Sequence, residues 1–206
     1  MLTFVNDNPF ITFDILKIKK MIETINKQKI TVEELFNMEL EEDFFYELIN
    51  GNIVKKQAPS PAHQDAVAQL LTIFNTYALE KQLGKVYTSP IDVYFDKYNN
   101  TQPDVLFIKK DRSFIITKDG IQGQPDLIVE VLSPSTFRND RKEKMDLYLL
   151  FGVSEYWIVD PKNQSVEVYI LENDKYEMQF FAIETGDIES KVLEGLTFDV
   201  ARIFLM

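Results

Sequence analysis

The chain has 206 residues, 45% apolar and 27% charged, with 7 Gly, 8 Pro and no cysteine. This is the composition of a folded protein with a core of its own, and it excludes disulfides, thiolate catalysis and cysteine-ligated zinc. The net charge of −11 argues against affinity for nucleic acid through overall charge, because phosphate binding depends on Lys and Arg; it still allows clustered carboxylates for divalent cations beside a local basic face.

The first stretch, MLTFVNDNPFITFDILKIKK, carries acidic residues inside its apolar run and has no small-residue cleavage site, so it does not read as a signal peptide. No run approaches the roughly 20 apolar residues of a membrane helix. A cytoplasmic protein with no membrane partner is the expectation. Residues 1–30 mix Lys, Ile and Met at loosely helical spacing and are expected to form an N-terminal extension containing a helix, followed by one domain over 31–206. Thr31-Val32-Glu33-Glu34 has the form of a capping box and predicts a short helix to about Met38. Two β-rich runs flank Asn50-Gly51, which predicts a tight hairpin with Glu47 on its first strand.

From Ala62 to about Gln82, Val67, Leu70, Leu71, Phe74, Tyr77 and Ala78 share one helical face, with Gly84 as the expected stop. Val86 to Phe95 alternates as a strand, Asn99-Asn100 marks a turn, and Val105 to Ile108 forms a second strand. A charged connection from Lys109 to Gly123 leads to Asp126–Leu132, apolar enough to be central and buried on both faces. A helix then runs from the Ser133-Pro134 punctuation to about Phe151, closed by Gly152. Strands follow at Tyr156 to Pro161 and Val166 to Leu171, with two edge strands at Tyr176 to Ile183 and Ser190 to Leu193. The order gives a mixed α/β (α+β) fold: a mixed central sheet flanked by helices, with additional antiparallel strands at both ends.

Two carboxylates stand out. Asp104 opens one apolar strand and Glu130 lies inside another, and burying a carboxylate there is costly unless it is paired or binds a cation. Glu130 could point away or form a structural ion pair with Lys144. Adjacent strands could equally bring Asp104 and Glu130 together as hard oxygen ligands for Mg²⁺. Glu47 is open between a further acid of that site and a solvent-facing strand carboxylate. His63, the only histidine, rules out a histidine-cluster metal site; its place at a helix start favours a local capping or polar role. Gln102 could touch substrate or continue a strand edge. Tyr156 and Trp157 are most simply core. No phosphate loop, dinucleotide glycine motif or GxSxG elbow is present.

Pro103-Asp104, the string from Pro125 to Thr136, then Asp140, Lys144, Tyr148, Gly152-Val153 and Glu155 to Pro161 together resemble the Uma-two family, restriction-endonuclease-like proteins of the PD-(D/E)xK superfamily. Tyr46 to Gly51 and Ser60 to His63 extend the resemblance over about residues 31–171. It implies a restriction-endonuclease-like core of helix, three strands, helix and strand, with the site where the Asp104 and Glu130 strands part. The superfamily's signature lysine falls two residues after the acid, where this chain has Leu132; Lys144 on the next helix is the position matching the family. Asp140, Lys144 and Tyr148 recur at four-residue spacing and so form one stripe, whereas Lys142 projects elsewhere. His63 is placed near the site. The implied activity is endonucleolytic hydrolysis of nucleic acid, DNA before RNA. Mg²⁺ or Mn²⁺ would be held by Asp104, Glu130 and the carbonyl of Val131, with Glu47 joining through water. Lys144 would serve the nucleophile or the developing charge, and Asp140 and Tyr148 would support it. The alternative is a catalytically silent nuclease fold acting as a binding or assembly module, with a homodimer as the candidate assembly.

Overall fold

The computed structural model describes residues 29–41, 44–133 and 139–204. The helix expected within residues 1–30, part of the 133–136 punctuation and the side chain of Asp140 lie outside the described part. The first helix, α1 (Val32–Phe36), starts as expected: Thr31 Oγ1 accepts from Glu34 N–H, and Glu34 Oε2 accepts from Thr31 N–H at 2.7 Å. Strands β1 (Phe45–Ile49) and β2 (Asn52–Lys56) then form a hairpin. Its turn residues Asn50 and Gly51 both take positive φ (53° and 76°), as a tight two-residue turn requires.

Helix α2 (Pro61–Lys81) is capped by Ser60, whose side chain accepts from His63 N–H. The sequence places its stop at Gly84, but Gln82 takes the left-handed conformation and ends it. Gly84 instead opens β3 (Gly84–Thr88), packed so tightly that an added Cβ would lie 2.0 Å from the Ile108 carbonyl oxygen. The alternation from Val86 to Phe95 is not one strand: Ser89-Pro90 interrupts it, since proline cannot donate to a ladder, and β4 (Val93–Asp96) joins a different sheet. The turn expected at Asn99-Asn100 comes earlier, because Asp96 Oδ1 accepts from Tyr98 N–H and from the Asn99 side chain. Asn99 therefore starts a strand, β5 (Asn99–Thr101).

Strand β6 (Val105–Lys109) is followed by a 3₁₀ turn at Lys110–Ile115 and a small hairpin, β7 (Ile116–Thr117) and β8 (Gly120–Gln122). The connection beyond Lys109 is thus more ordered than its composition suggests. Strand β9 (Leu127–Val131) is buried throughout. The helix expected up to Phe151 is described as a π-helical turn, Asn139–Lys144, leading into α3 (Met145–Leu150). Strands β10 (Glu155–Asp160), β11 (Ser165–Glu172) and β12 (Lys175–Ile183) follow. Ser190 to Leu193 is a turn rather than a strand, since Ser190 Oγ accepts from Leu193 N–H at 2.8 Å and bends the chain locally. The final pair is β13 (Asp187–Glu189) with β14 (Thr197–Asp199).

The fold is mixed α/β, with two six-stranded sheets and the separate two-stranded pair of β13 and β14. One sheet has the order β2-β1-β5-β4-β8-β7 and the other β12-β11-β10-β9-β6-β3, with β9 and β10 parallel. In the second sheet Val105, Phe107, Val129, Val131 and Trp157 face α2 and the C-terminal segment. Leu106, Ile108, Ile128, Tyr156 and Ile158 face the opposite way, with Ile49, Val93, Ile121, Leu147 and Tyr148. Both faces of β9 and β10 are covered, which explains their unbroken apolar runs; each large side chain so buried contributes about 1.5–3 kcal/mol. Among the described residues no helix is long and apolar enough to cross a membrane.

Candidate active site

Asp104 precedes β6 and Glu130 is the fourth residue of β9. The antiparallel pairing of β6 with β9 ends at Val105↔Val129, so Asp104 and Glu130 each stand one residue beyond the last pair. Asp104 Oδ2 accepts from Val131 N–H at 2.8 Å and stands 3.1 Å from His63 Nε2. Glu130 Oε1 accepts from the Tyr148 hydroxyl at 2.6 Å and from Lys144 Nζ at 3.0 Å. Lys144 Nζ also donates to Glu47 Oε1 at 3.0 Å, so one ammonium ties the hairpin of the first sheet to the central strand of the second. Glu47 Oε1 accepts in addition from Gln102 N–H at 2.8 Å.

The structure thus brings Asp104, Glu130, Glu47, Lys144, Tyr148, Gln102 and His63 into one neighbourhood. His63 combines its two roles, with its backbone on the Ser60 cap and its ring on Asp104. Lys142 is exposed, as its different helical phase requires, and Trp157 is core, donating Nε1–H to buried Glu155 at 2.6 Å. One residue was missed. Lys56 Nζ donates to the Gln102 carbonyl at 2.9 Å and lies 3.5 Å from Glu47 Oε1 and 4.0 Å from Asp104 Oδ1. The hairpin contained the clue: with Glu47 paired to Val54, alternation puts Lys56 on the face of Glu47.

Burial works to raise the Glu47 carboxyl, but Lys144, Lys56 and the Gln102 amide outweigh it and hold the group below its ordinary value. Asp104 is likewise lowered against burial, by the His63 hydrogen bond and the two lysines. Burial, and then the charge of Glu130, push the Tyr148 hydroxyl far up, so it stays protonated and donates. The lowered carboxyls of Glu47 and Asp104 make stability depend on pH. In the folded state both lose their protons at lower pH than their ordinary values of 4.5 and 3.8. Their contribution to stability is full above those values and is lost as pH falls through the depressed ones. Urea midpoints measured from neutral pH downward should decline below about pH 4.5, and more shallowly in Glu47→Gln. An equal decline in both proteins would contradict the assignment.

A cavity of about 370 Å³ opens against this cluster, with Lys56, His63, Gln102, Asp104, Glu130 and Val131 in its wall. His63 Nδ1 and Gln102 Oε1 are buried there without a hydrogen-bond partner among the described residues. The donor set is hard: two carboxylates and a main chain, no thiolate. Among the described residues no three acidic or imidazole groups form a ready-made cage. Two carboxylates and a main-chain carbonyl are hard oxygen donors of the kind Mg²⁺ takes, with water and substrate phosphate in its other positions.

The fold is restriction-endonuclease-like. It is similar to the crystal structure of a putative nuclease belonging to DUF820 from Anabaena variabilis, with a TM-score of 0.69 over 85% of this chain and 97% of that one, at 19% identity. The chain belongs to the Uma2 (Uma-two) family, described as putative restriction endonucleases, whose pattern matches residues 32–201. No curated protein matches it.

Proposed function

We propose that the protein is a metal-dependent endonuclease hydrolysing phosphodiester bonds of nucleic acid, with DNA the first substrate to test. Family membership supports the reading, and one observation carries it: Asp104, just before β6, and Glu130 of the adjacent strand β9 share the wall of one cavity with Val131. These three residues would hold Mg²⁺ or Mn²⁺. Such an ion, when bound, lowers the pKa of a coordinated water and neutralises charge on the phosphate.

The chain's own part is orientation and charge balance. Val131 N–H and His63 fix the Asp104 carboxylate, while Tyr148 and Lys144 fix that of Glu130. Glu47, Asp104 and Glu130 against Lys56 and Lys144 leave one net negative charge, so a divalent cation turns the cluster positive as a phosphate arrives. Lys144, buried behind Glu130, would help balance negative charge developing in the transition state without touching the substrate. Supercoiled plasmid and a labelled RNA, incubated with Mg²⁺, Mn²⁺ or EDTA, test this reading. Nicking or linearisation of plasmid only with metal is the expected result. Intact plasmid and intact RNA with both ions would end it.

A second reading, the catalytically silent module, is favoured by one specific contact. Lys144 Nζ already bridges Glu47 and Glu130, and Leu132 occupies the place of the superfamily lysine, so the carboxylates are satisfied by the chain itself. Calorimetry with Mg²⁺ and Mn²⁺ separates the two: no binding heat belongs to the silent module.

A further inference from the structure

We propose that Lys56 is the lysine that meets the substrate, its ammonium contacting a phosphate of nucleic acid in the cavity, while Lys144 acts from behind by holding Glu47 and Glu130. The inference rests on the nuclease reading for its substrate and assigns a role to a residue outside the motif string.

Three observations separate the two lysines. Lys144 is 2% exposed in its side chain and is absent from the cavity wall, whereas Lys56 is 14% exposed and is part of that wall. The Lys144 ammonium donates to two carboxylates at 3.0 Å. The Lys56 ammonium donates to the Gln102 carbonyl at 2.9 Å, and its neighbours Glu47 and Asp104, at 3.5 and 4.0 Å, are too distant for good hydrogen bonds. An ammonium carries three N–H groups, so Lys56 retains donor capacity on the cavity side. Position agrees with capacity. Lys56 ends β2 with its Nζ 4.0 Å from Asp104 Oδ1, so a phosphate entering the cavity beside Asp104 and Glu130 would come within its reach, and a compact charge on a flexible stem suits such an oxygen. The preceding lysine is a built-in control: Lys55 points the other way and pairs with Glu41 at the surface at 2.9 Å.

The test measures anisotropy of a labelled DNA duplex over a salt series with Ca²⁺, and cleavage with Mg²⁺, for wild type, Lys56→Gln, Lys56→Arg and Lys55→Gln. Lys56→Gln should lower the slope of log K against log salt by about 1 and reduce kcat about 10²-fold, with calorimetric metal binding retained. Lys56→Arg should keep the slope while losing about tenfold in kcat, because a planar fork replaces a point charge. Lys55→Gln should match wild type. A folded Lys56→Gln with wild-type slope and kcat overturns the inference, as does an equal slope change in Lys55→Gln, which would mean generic surface charge. If Lys56→Gln does not fold, an unchanged kcat in Lys56→Arg overturns it. Wild type that binds duplex but never cleaves sinks the nuclease reading alone, and the slope still decides Lys56. Wild type that binds no duplex sinks both.

Discussion

Lys144→Met should lower the stability of the protein by about 3–5 kcal/mol, because it strands two carboxylates in the interior. Glu47 and Glu130 are each 1% exposed, and Lys144 is the cation they share at 3.0 Å. Methionine fills the volume and supplies no charge, so the deficit is electrostatic rather than a packing void. Glu47 would keep Lys56 and the Gln102 amide, and Glu130 would keep the Tyr148 hydroxyl. Neither replacement offsets a lost ammonium. For a chain of this length the melting temperature should fall on the order of 10 °C. Protonating the two acids should recover part of the loss, so the gap between variant and wild type should narrow as pH drops. A variant as stable as wild type at neutral pH would show that the bridge contributes nothing.

Glu130→Gln should leave the protein folded and reduce metal-dependent cleavage by at least about 10³-fold, equivalent to about 4 kcal/mol of transition-state stabilisation. The amide keeps the shape of the carboxylate and can still accept from Tyr148. It removes the formal charge that a divalent cation needs, so calorimetric affinity for Mn²⁺ should fall together with cleavage. Asp104→Asn should behave in the same way. Retained metal affinity with lost cleavage would move the ion elsewhere; retained cleavage would remove both acids from the mechanism.

Local chemistry explains what could be read from the residues alone. Asn50-Gly51, the Thr31 box and the helical face from Val67 to Ala78 carry their own geometry, and a glutamate inside Leu127–Val131 is conspicuous because its neighbours are apolar. Elsewhere local patterning misled. Val86 to Phe95 alternates smoothly, yet the chain changes sheets at Ser89-Pro90, and Ser190 to Leu193 has strand-like composition but is bent by a serine hydroxyl. Lys56 escaped notice for a different reason. It follows another lysine among polar residues, and its significance exists only once β2 lies across from Asp104 in the other sheet.

The bridge made by Lys144 also bears on when the site comes into being during synthesis. Glu47 and Lys144 stand 97 residues apart in the chain, and Glu47 and Gln102 stand 55 apart. Contacts that close such long loops form late and slowly compared with a hairpin or a helix. While the chain is still emerging from the ribosome, Glu47 and Lys56 are already out, but their partners at 130, 144 and 148 are not. A nascent chain that has not yet exposed residues 130 to 148 therefore holds no assembled cluster, and the hairpin waits for the cation that joins it to the second sheet.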